Sequence, residues 1–282
     1  MFAIKHQTNL VPLVSCLLPI TQFDDFAIMA IDSILNQTYQ NFEILLLCNN
    51  ITDADFARLH SAYSQNKQLI IHRINLPGLC FALNFGLNEA VGEFIARMDA
   101  DDISLPQRFE KQVAHLLRNQ NTVLVGCKVK LIDECGSDIG YFPFFENSKK
   151  IKSLLPIRNT LVHPALMFRR STVLQIGGYK YGFMSEDHEL FLRLLDIPDT
   201  DFYNIPIELF LYRRHKNQIT NSLDKKKHFA EITPFLLMNF LKRRKFSYIL
   251  GIFWVLPITR WVKDYFKKLV SQFNKFKKVF KD

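Results

Sequence analysis

The chain has 282 residues, 48% of them hydrophobic and 22% charged, with a formal net charge of +9. That composition excludes disordered, collagen-like and coiled-coil proteins and leaves a globular chain long enough to bury a large core. The basic excess is confined to the last fifth: residues 225–282 carry 15 Lys and Arg against three acids, while the preceding 224 residues are net −3. A mildly acidic body with a basic tail argues against a nucleic-acid-binding module and for an enzyme with a surface anchor.

Cys16, Cys48, Cys80, Cys127 and Cys135 are odd in number and contain no CxxC pair, so neither a disulfide framework nor a zinc knuckle is expected, and a reducing cytoplasm suits the chain. The apolar run Leu10 to Ile20 is interrupted by Pro12 and Pro19 and is not read as a signal peptide. From Val14 onward, short apolar runs alternate with amphipathic stretches. The strands fall at Val14–Pro19, Glu43–Cys48, Leu69–Ile74 and Glu93–Met98, and the helices at Phe26–Gln37, Asp55–Asn66, Leu79–Ala90 and Pro106–Asn119. Four β-α units in succession predict an α/β fold with a mostly parallel sheet covered on both faces. Beyond Leu131 the glycines 136, 140, 177, 178 and 182 punctuate shorter segments, which predicts a mixed second half.

Parallel sheets bind ligands where loops leave the carboxyl ends of the strands. Of those loops, Asp99-Ala100-Asp101-Asp102 carries the sharpest signal. In an extended run Asp99 and Asp101 would point the same way and offer hard oxygen ligands to Mg²⁺ or Mn²⁺. The same residues could equally form a solvated acidic turn capping the helix near Leu105. Glu186-Asp187 opens an amphipathic helix, where acids suit the helix dipole or, alternatively, present a carboxylate base at a loop edge. His163 and the Arg213-Arg214-His215 run are further polar candidates for the same cleft, each individually a common structural feature.

Taken in order, these pieces resemble the family 2 nucleotide-sugar glycosyltransferases of the GT-A fold, of the bacterial cell-envelope and lipopolysaccharide type. The resemblance spans about residues 12 to 220. It is carried by Val14-Ser-Cys-Leu-Leu-Pro19, Ala30-Ile-Asp-Ser-Ile-Leu-Asn-Gln-Thr-Tyr39, Asn41-Phe-Glu-Ile44 and Ala82-Leu-Asn84. It continues through Gly92 to Asp102, Arg108 with Gln112, His163 to Arg169, Ile176-Gly-Gly-Tyr179, Glu186-Asp187 and Tyr212-Arg-Arg-His215.

The resemblance implies an inverting, metal-dependent transferase using Mn²⁺ or Mg²⁺ and a nucleotide-sugar donor. Asp99 and Asp101 match the DxD that holds metal and donor, Asp101 being the direct metal ligand. Asp187 matches the acceptor-activating base, and His215 falls where some relatives place an extra metal or phosphate contact. Pro19 and Thr21 lie in the loop bordering the nucleotide base, and Asn84 and Arg97 on segments facing the donor. Where the family has Asp-Asp-Gly-Ser, this chain has Cys48-Asn49-Asn50-Ile51, so an Asn49 amide stands in for an acid at the base. A uridine donor remains the favourite. The implied acceptor is a lipid-linked or envelope glycan or glycolipid.

The expected layout is a catalytic domain over 1–222, with a nucleotide half at 12–131 and an acceptor half at 132–222, then a helical basic region over 223–282. In that region Phe246–Thr259 is uncharged but too short to span a bilayer. Behind it Val262, Phe266, Leu269, Phe273, Phe276 and Phe280 recur at steps of three and four among lysines. That pattern predicts attachment to an anionic membrane surface, on the cytoplasmic face, or a terminal helix docked on the core. Two rival activities are a degenerate nucleotide-sugar-binding partner, suggested by the lost acids, and a nucleotidyltransferase, for which no glycine-rich phosphate loop is present.

Overall fold

The computed structural model describes residues 11–180, 185–216, 218 and 225–256. Leu10, Gly182 and the Phe/Lys repeat over 262–280 lie outside the described residues. The nucleotide half runs β1 (Val14–Ile20), α1 (Asp25–Leu35), β2 (Phe42–Asn49), α2 (Asp53–Tyr63), β3 (Leu69–Ile74), α3 (Leu79–Glu89) and β4 (Phe94–Arg97). These are the elements expected from periodicity, shifted by at most three residues at their ends. Then follow β5 (Ile103–Ser104), α4 (Arg108–Arg118), β6 (Thr122–Ile132), β7 (Asp138–Tyr141) and α5 (Ser148–Leu154). A 3₁₀ turn at His163–Ala165 leads into β8 (Met167–Arg169), α6 (Arg170–Gln175), α7 (Glu186–Leu194) and β9 (Asp201–Arg213). Helices α8 (Lys225–Arg243) and α9 (Ser247–Val255) complete the described chain.

One sheet holds all nine strands in the order β3-β2-β1-β4-β8-β6-β9-β5, with β7 on β6. Strands β3, β2, β1 and β4 are parallel. Antiparallel β8 then separates β4 from β6, and β9 runs parallel to β6. The sheet is therefore mixed from β8 onward.

Because side chains alternate across a strand, β1, β2 and β4 each feed two cores. Cys16, Leu18, Ile44, Leu46 and Ala96 join Ala27 and Ile31 of α1 and Phe109 and Val113 of α4 on one face. Leu17, Leu45, Leu47 and Ile95 join Leu83 and Leu87 of α3 and Leu190 and Leu194 of α7 on the other. Ile232, Leu236 and Tyr248 belong to this second core, so α8 and α9 pack onto the body instead of standing apart from it. The uncharged run from Phe246, expected either on a membrane surface or docked on the core, buries Tyr248 and Gly251 and exposes Phe246, Leu250, Phe253 and Trp254. All five cysteines are free, and only Cys135 is exposed.

Two buried polar side chains fix the strand ends that build the site. Gln37 donates from Nε2 to Leu105 O at 2.9 Å and accepts the Phe109 N–H at 3.0 Å, tying the end of α1 to the start of α4. Gln107, the N-cap of α4, makes no side-chain cap bond, so Gln37 satisfies a donor the helix itself leaves open. Arg108 is fully buried and donates from Nη2 to Arg97 O (2.7 Å) and Leu166 O (3.1 Å), and from Nε to Gln112 Oε1 (3.2 Å). Burial lowers its pKa to about 10, which leaves the guanidinium charged at neutral pH. That one side chain staples the end of β4 to the turn before β8.

Candidate active site

The strand ends converge on a cleft of about 530 Å³ lined by Gly78, Arg97, Asp99, Asp101, His163, Glu186 and Asp187, together with Phe142, Phe145, Arg158, Asn159 and Tyr212. Asp99 follows β4 after one residue, Met98. The chain turns at Ala100 and Asp101 and is not the extended run expected, and the turn gathers a third acid as well. Carboxylate oxygens of Asp99, Asp101 and Asp102 all lie within 4.8 Å of one another.

Each acid has a different partner. Asp99 pairs with Arg97, which is 2% exposed. Asp101 Oδ2 lies 2.9 Å from His215 Nε2, with Gln218 Nε2 at 3.5 Å. Asp102 is fully buried; its Oδ1 accepts the Arg213 N–H at 2.9 Å, and its Oδ2 has no partner. Burial, offset in part by Arg97 and reinforced by Asp101, pushes the Asp99 carboxyl above the usual range, and burial with its acidic neighbours pushes Asp102 well above it. A cluster of hard oxygens short of positive charge, with one buried oxygen unpartnered, fits a divalent cation. His215 reaches the cluster because β9 ends beside it: Arg213 also donates from Nε to Asp101 O at 3.0 Å.

Glu186 and Asp187 form the first turn of α7. Asp187 Oδ2 accepts from Asn159 Nδ2 at 2.7 Å, and its Oδ1 accepts the His188 N–H at 2.6 Å. Burial raises its pKa, against the pull of those two donors. Burial and then repulsion from Asp187 raise Glu186 to about 7. A carboxylate of raised basicity within a cleft is what proton abstraction from a hydroxyl requires.

Two expected donor contacts are engaged elsewhere. Asn84 accepts the Tyr179 N–H at Oδ1 (2.9 Å) and donates from Nδ2 to Tyr179 O (2.7 Å), so its amide clamps the chain after Gly178 and does not line the cleft. Gly178 has φ +64°, and a Cβ there would lie 2.4 Å from Asn84 Oδ1, which explains the glycine. Asn49 is buried, accepts the Gly78 N–H at 2.9 Å and donates to Leu76 O at 2.6 Å. It therefore shapes the cleft through Gly78, with both ends of the amide already bonded. Pro19 is half-buried in β1 and Thr21 is exposed beyond it, neither of them lining the cleft.

Sequence reasoning did not single out Asp102, Asn159 or Arg158. Asp102 stood next to the DxD, but its burial has no local signature. Asn159 and Arg158 sit in a segment without periodicity. Among the cleft's other lining residues, Phe142 and Tyr212 pack edge to face at 5.1 Å, and Arg158 lies over Phe145 (5.4 Å) and Trp254 of α9 (5.6 Å). His163, a buried lining residue, has its Nε2 2.8 Å from Tyr179 Oη, and burial holds its pKa well below the ordinary value, so the ring is neutral.

Residues 25–177 match the family described as Glycosyl transferase family 2. The chain is 34% identical over 245 residues to the O-antigen biosynthesis glycosyltransferase WbnJ of Escherichia coli, covering 86% of this chain and 94% of that one. Among solved structures it resembles S. aureus TarS 1–349 in complex with UDP-GlcNAc, with a TM-score of 0.63 and 13% identity over 80% of this chain and 66% of that one. It also resembles the mannosyltransferase PcManGT from Pyrobaculum calidifontis in complex with GDP-Man and Mn²⁺, with a TM-score of 0.63 and 15% identity over 87% and 70% of the two chains. At those identities the structural likeness speaks to the fold alone. The matched region holds seven of the nine strands of the mixed sheet and the acidic cluster, and the chain belongs to glycosyl transferase family 2, with the GT-A fold.

Proposed function

We propose that the protein is an inverting, metal-dependent glycosyltransferase that moves a sugar from a nucleotide sugar, with a UDP-sugar as the favoured donor, to a hydroxyl of a lipid-linked or cell-envelope glycan. The observation that carries this reading is that Asp99, Asp101 and Asp187 line one cleft, so that an acidic cluster and a separate carboxylate address the same volume. Asp99 and Asp101 would hold Mn²⁺ or Mg²⁺, with His215 and Asp102 beside them. When bound, the cation supplies charge neutralisation for the departing diphosphate. Arg97 holds Asp99 in place and adds a buried positive charge at the same edge of the cleft. Asp187, kept in orientation by Asn159 and the His188 N–H, takes the proton of the acceptor hydroxyl as its oxygen attacks the anomeric carbon. A single displacement inverts that carbon, so an α-linked donor yields a β-glycoside.

The acceptor class is supported by the name of the Escherichia coli relative, an O-antigen glycosyltransferase. Peripheral attachment to the cytoplasmic face of a membrane is supported by the exposed Phe246, Leu250 and Phe253 on α9 and by the basic excess of residues 225–282. Among the described residues no helix is long and apolar enough to cross a membrane. The test is hydrolysis of a panel of UDP-, GDP- and CDP-sugars with and without Mn²⁺. Cation-dependent release of one nucleoside diphosphate is expected, with a UDP-sugar the best substrate. Binding of donor without turnover would instead identify a non-catalytic partner of glycan assembly.

A further inference from the structure

The family match ends at residue 177, before α7, and the N-cap of α7 is held by a side chain from still farther along the chain. Ser185 is the N-cap of that helix, where a serine ordinarily turns its hydroxyl onto an N–H of its own first turn. Here it makes no such bond. Its Oγ lies instead 2.8 Å from Nδ1 of His228, on α8. Ser185 is 3% exposed and His228 half-buried, so the bond is sheltered from exchange with water. Burial lowers the pKa of His228, and the neutral ring has an acceptor nitrogen for the serine hydroxyl.

The residues that follow Ser185 are Glu186 and Asp187. Asp187 is fixed at its own carboxylate by Asn159 and the His188 N–H, and His188 is anchored by Nε2 to Leu155 O at 2.7 Å. Those contacts hold α7 downstream of the carboxylate and on its cleft side. On its upstream side, the side-chain bond to the helix start comes from α8. Ile232 and Leu236, one and two turns after His228, are buried in the second core, so α8 is a rigid support for that bond.

We propose that His228 is a positioning residue for glycosyl transfer: by holding Ser185 it sets where α7 begins and hence where the Asp187 carboxylate points, which makes α8 a working part of the active site. This rests on the reading of Asp187 as the base. A displacement of about 1 Å at a reacting group can cost up to about a hundredfold in rate, whereas among the described residues the hydrogen bonds of Asp99, Asp101 and Asp102 involve neither Ser185 nor His228.

The experiment compares wild type, His228→Ala, His228→Asn, Ser185→Ala and the double alanine variant as full chains, with the UDP-sugar that wild type hydrolyses fastest in Mn²⁺. His228→Ala is expected to lower kcat about tenfold, the rate equivalent of one hydrogen bond, with KM for the donor within about twofold of wild type. Ser185→Ala should match it, the double variant should lose no more than either single one, and His228→Asn, whose amide reaches the Nδ1 position, should recover most of the rate. Where His228→Ala loses the fold, Ser185→Ala alone decides, since it removes one oxygen and the same bond. An unchanged kcat in Ser185→Ala, additive losses in the double variant, or a rise in KM with kcat intact would overturn the proposal. A wild-type chain that turns over no nucleotide sugar would instead overturn the reading of the site on which it rests.

Discussion

Replacing Asp187 by Asn separates the chemistry of the proposed base from its packing. In the wild-type chain Oδ1 accepts the His188 N–H and Oδ2 accepts from Asn159 Nδ2, while Asn159 Oδ1 accepts the Leu161 N–H at 3.1 Å. An asparagine at 187 keeps the first bond but turns its own NH₂ toward the NH₂ of Asn159. Rotating the Asn159 amide would remove that conflict and take the acceptor away from Leu161. The structural cost is therefore about one hydrogen bond, ~1 kcal/mol, and it is offset in part because Glu186 loses a repulsive neighbour. Loss of general-base help is worth about 10²- to 10⁴-fold, or ~2.7–5.5 kcal/mol in the barrier. The second figure exceeds the first by enough that a folded, donor-binding, nearly inactive protein is expected. Steady-state hydrolysis with Mn²⁺, donor affinity by calorimetry and a thermal melt on the same preparation measure all three. Turnover within about threefold of wild type would refute the assignment, and a matching collapse of donor affinity would move Asp187 from the base to the donor site.

Titration of Asp101→Ala with UDP should show no strengthening by Mn²⁺, whereas wild type gains affinity; equal enhancement in both would take Asp101 out of the cation site. Asn49→Asp keeps the acceptor for Gly78 but places a carboxylate oxygen where Nδ2 donates to Leu76 O, so a stability loss of ~1–3 kcal/mol in urea is expected, and an unchanged midpoint would show that the loop does not depend on this bond. Glu186 titrates near 7 in the folded chain against an ordinary 4.5, so the native state holds its proton longer than the unfolded one. Its contribution to stability is complete below about pH 4.5 and is lost as pH rises through 7. Urea midpoints of wild type should fall relative to Glu186→Gln across that window, and parallel curves would contradict the raised pKa.

The nucleotide half was legible because its signals are local. In β1, β2 and β4 nearly every residue is buried, so each reads as a continuous apolar run; α1 and α4 carry a helical stripe, and each turn is marked by Asn, Asp, Pro or Gly within a few residues. The second half resisted the same reading because its strands are defined by distant partners. β4 pairs with β8, some seventy residues later, and β9 breaks the pattern expected of an inner strand. Pro206 sits in the middle of β9, where a proline argues against an inner strand. It is accommodated because the register with β6 jumps from Cys127–Ile205 to Lys128–Glu208, bulging Pro206 and Ile207 out of the ladder. The bulge is a property of the pair of strands, so neither strand's sequence announces it. The packing of α8 was hidden for a related reason: Ile232 and Leu236 look like any apolar positions of a tail helix until the surface they cover is known.

In the site, residue type and spacing located the acids, but they did not determine the partners of the amides. A carboxylate in a cleft can only accept, so Asp99, Asp101 and Asp187 draw donors or cations wherever the fold puts them, and the position of the first two after a strand and of the third at a helix start was informative. An asparagine can donate and accept at once, and the nearest groups that need both are backbone N–H and C=O in turns. Asn49 and Asn84 each satisfy one such pair, across the Leu76–Gly78 loop and at Tyr179, although both lie on segments that the resemblance expected to face the donor. An asparagine in place of an acid at position 49 therefore has a structural explanation that needs no nucleotide base: an aspartate there would meet the Leu76 carbonyl with a second acceptor. Departure from the family's acids at this loop is then evidence about how the loop is held, and the intact acids at 99, 101 and 187 bear on the chemistry.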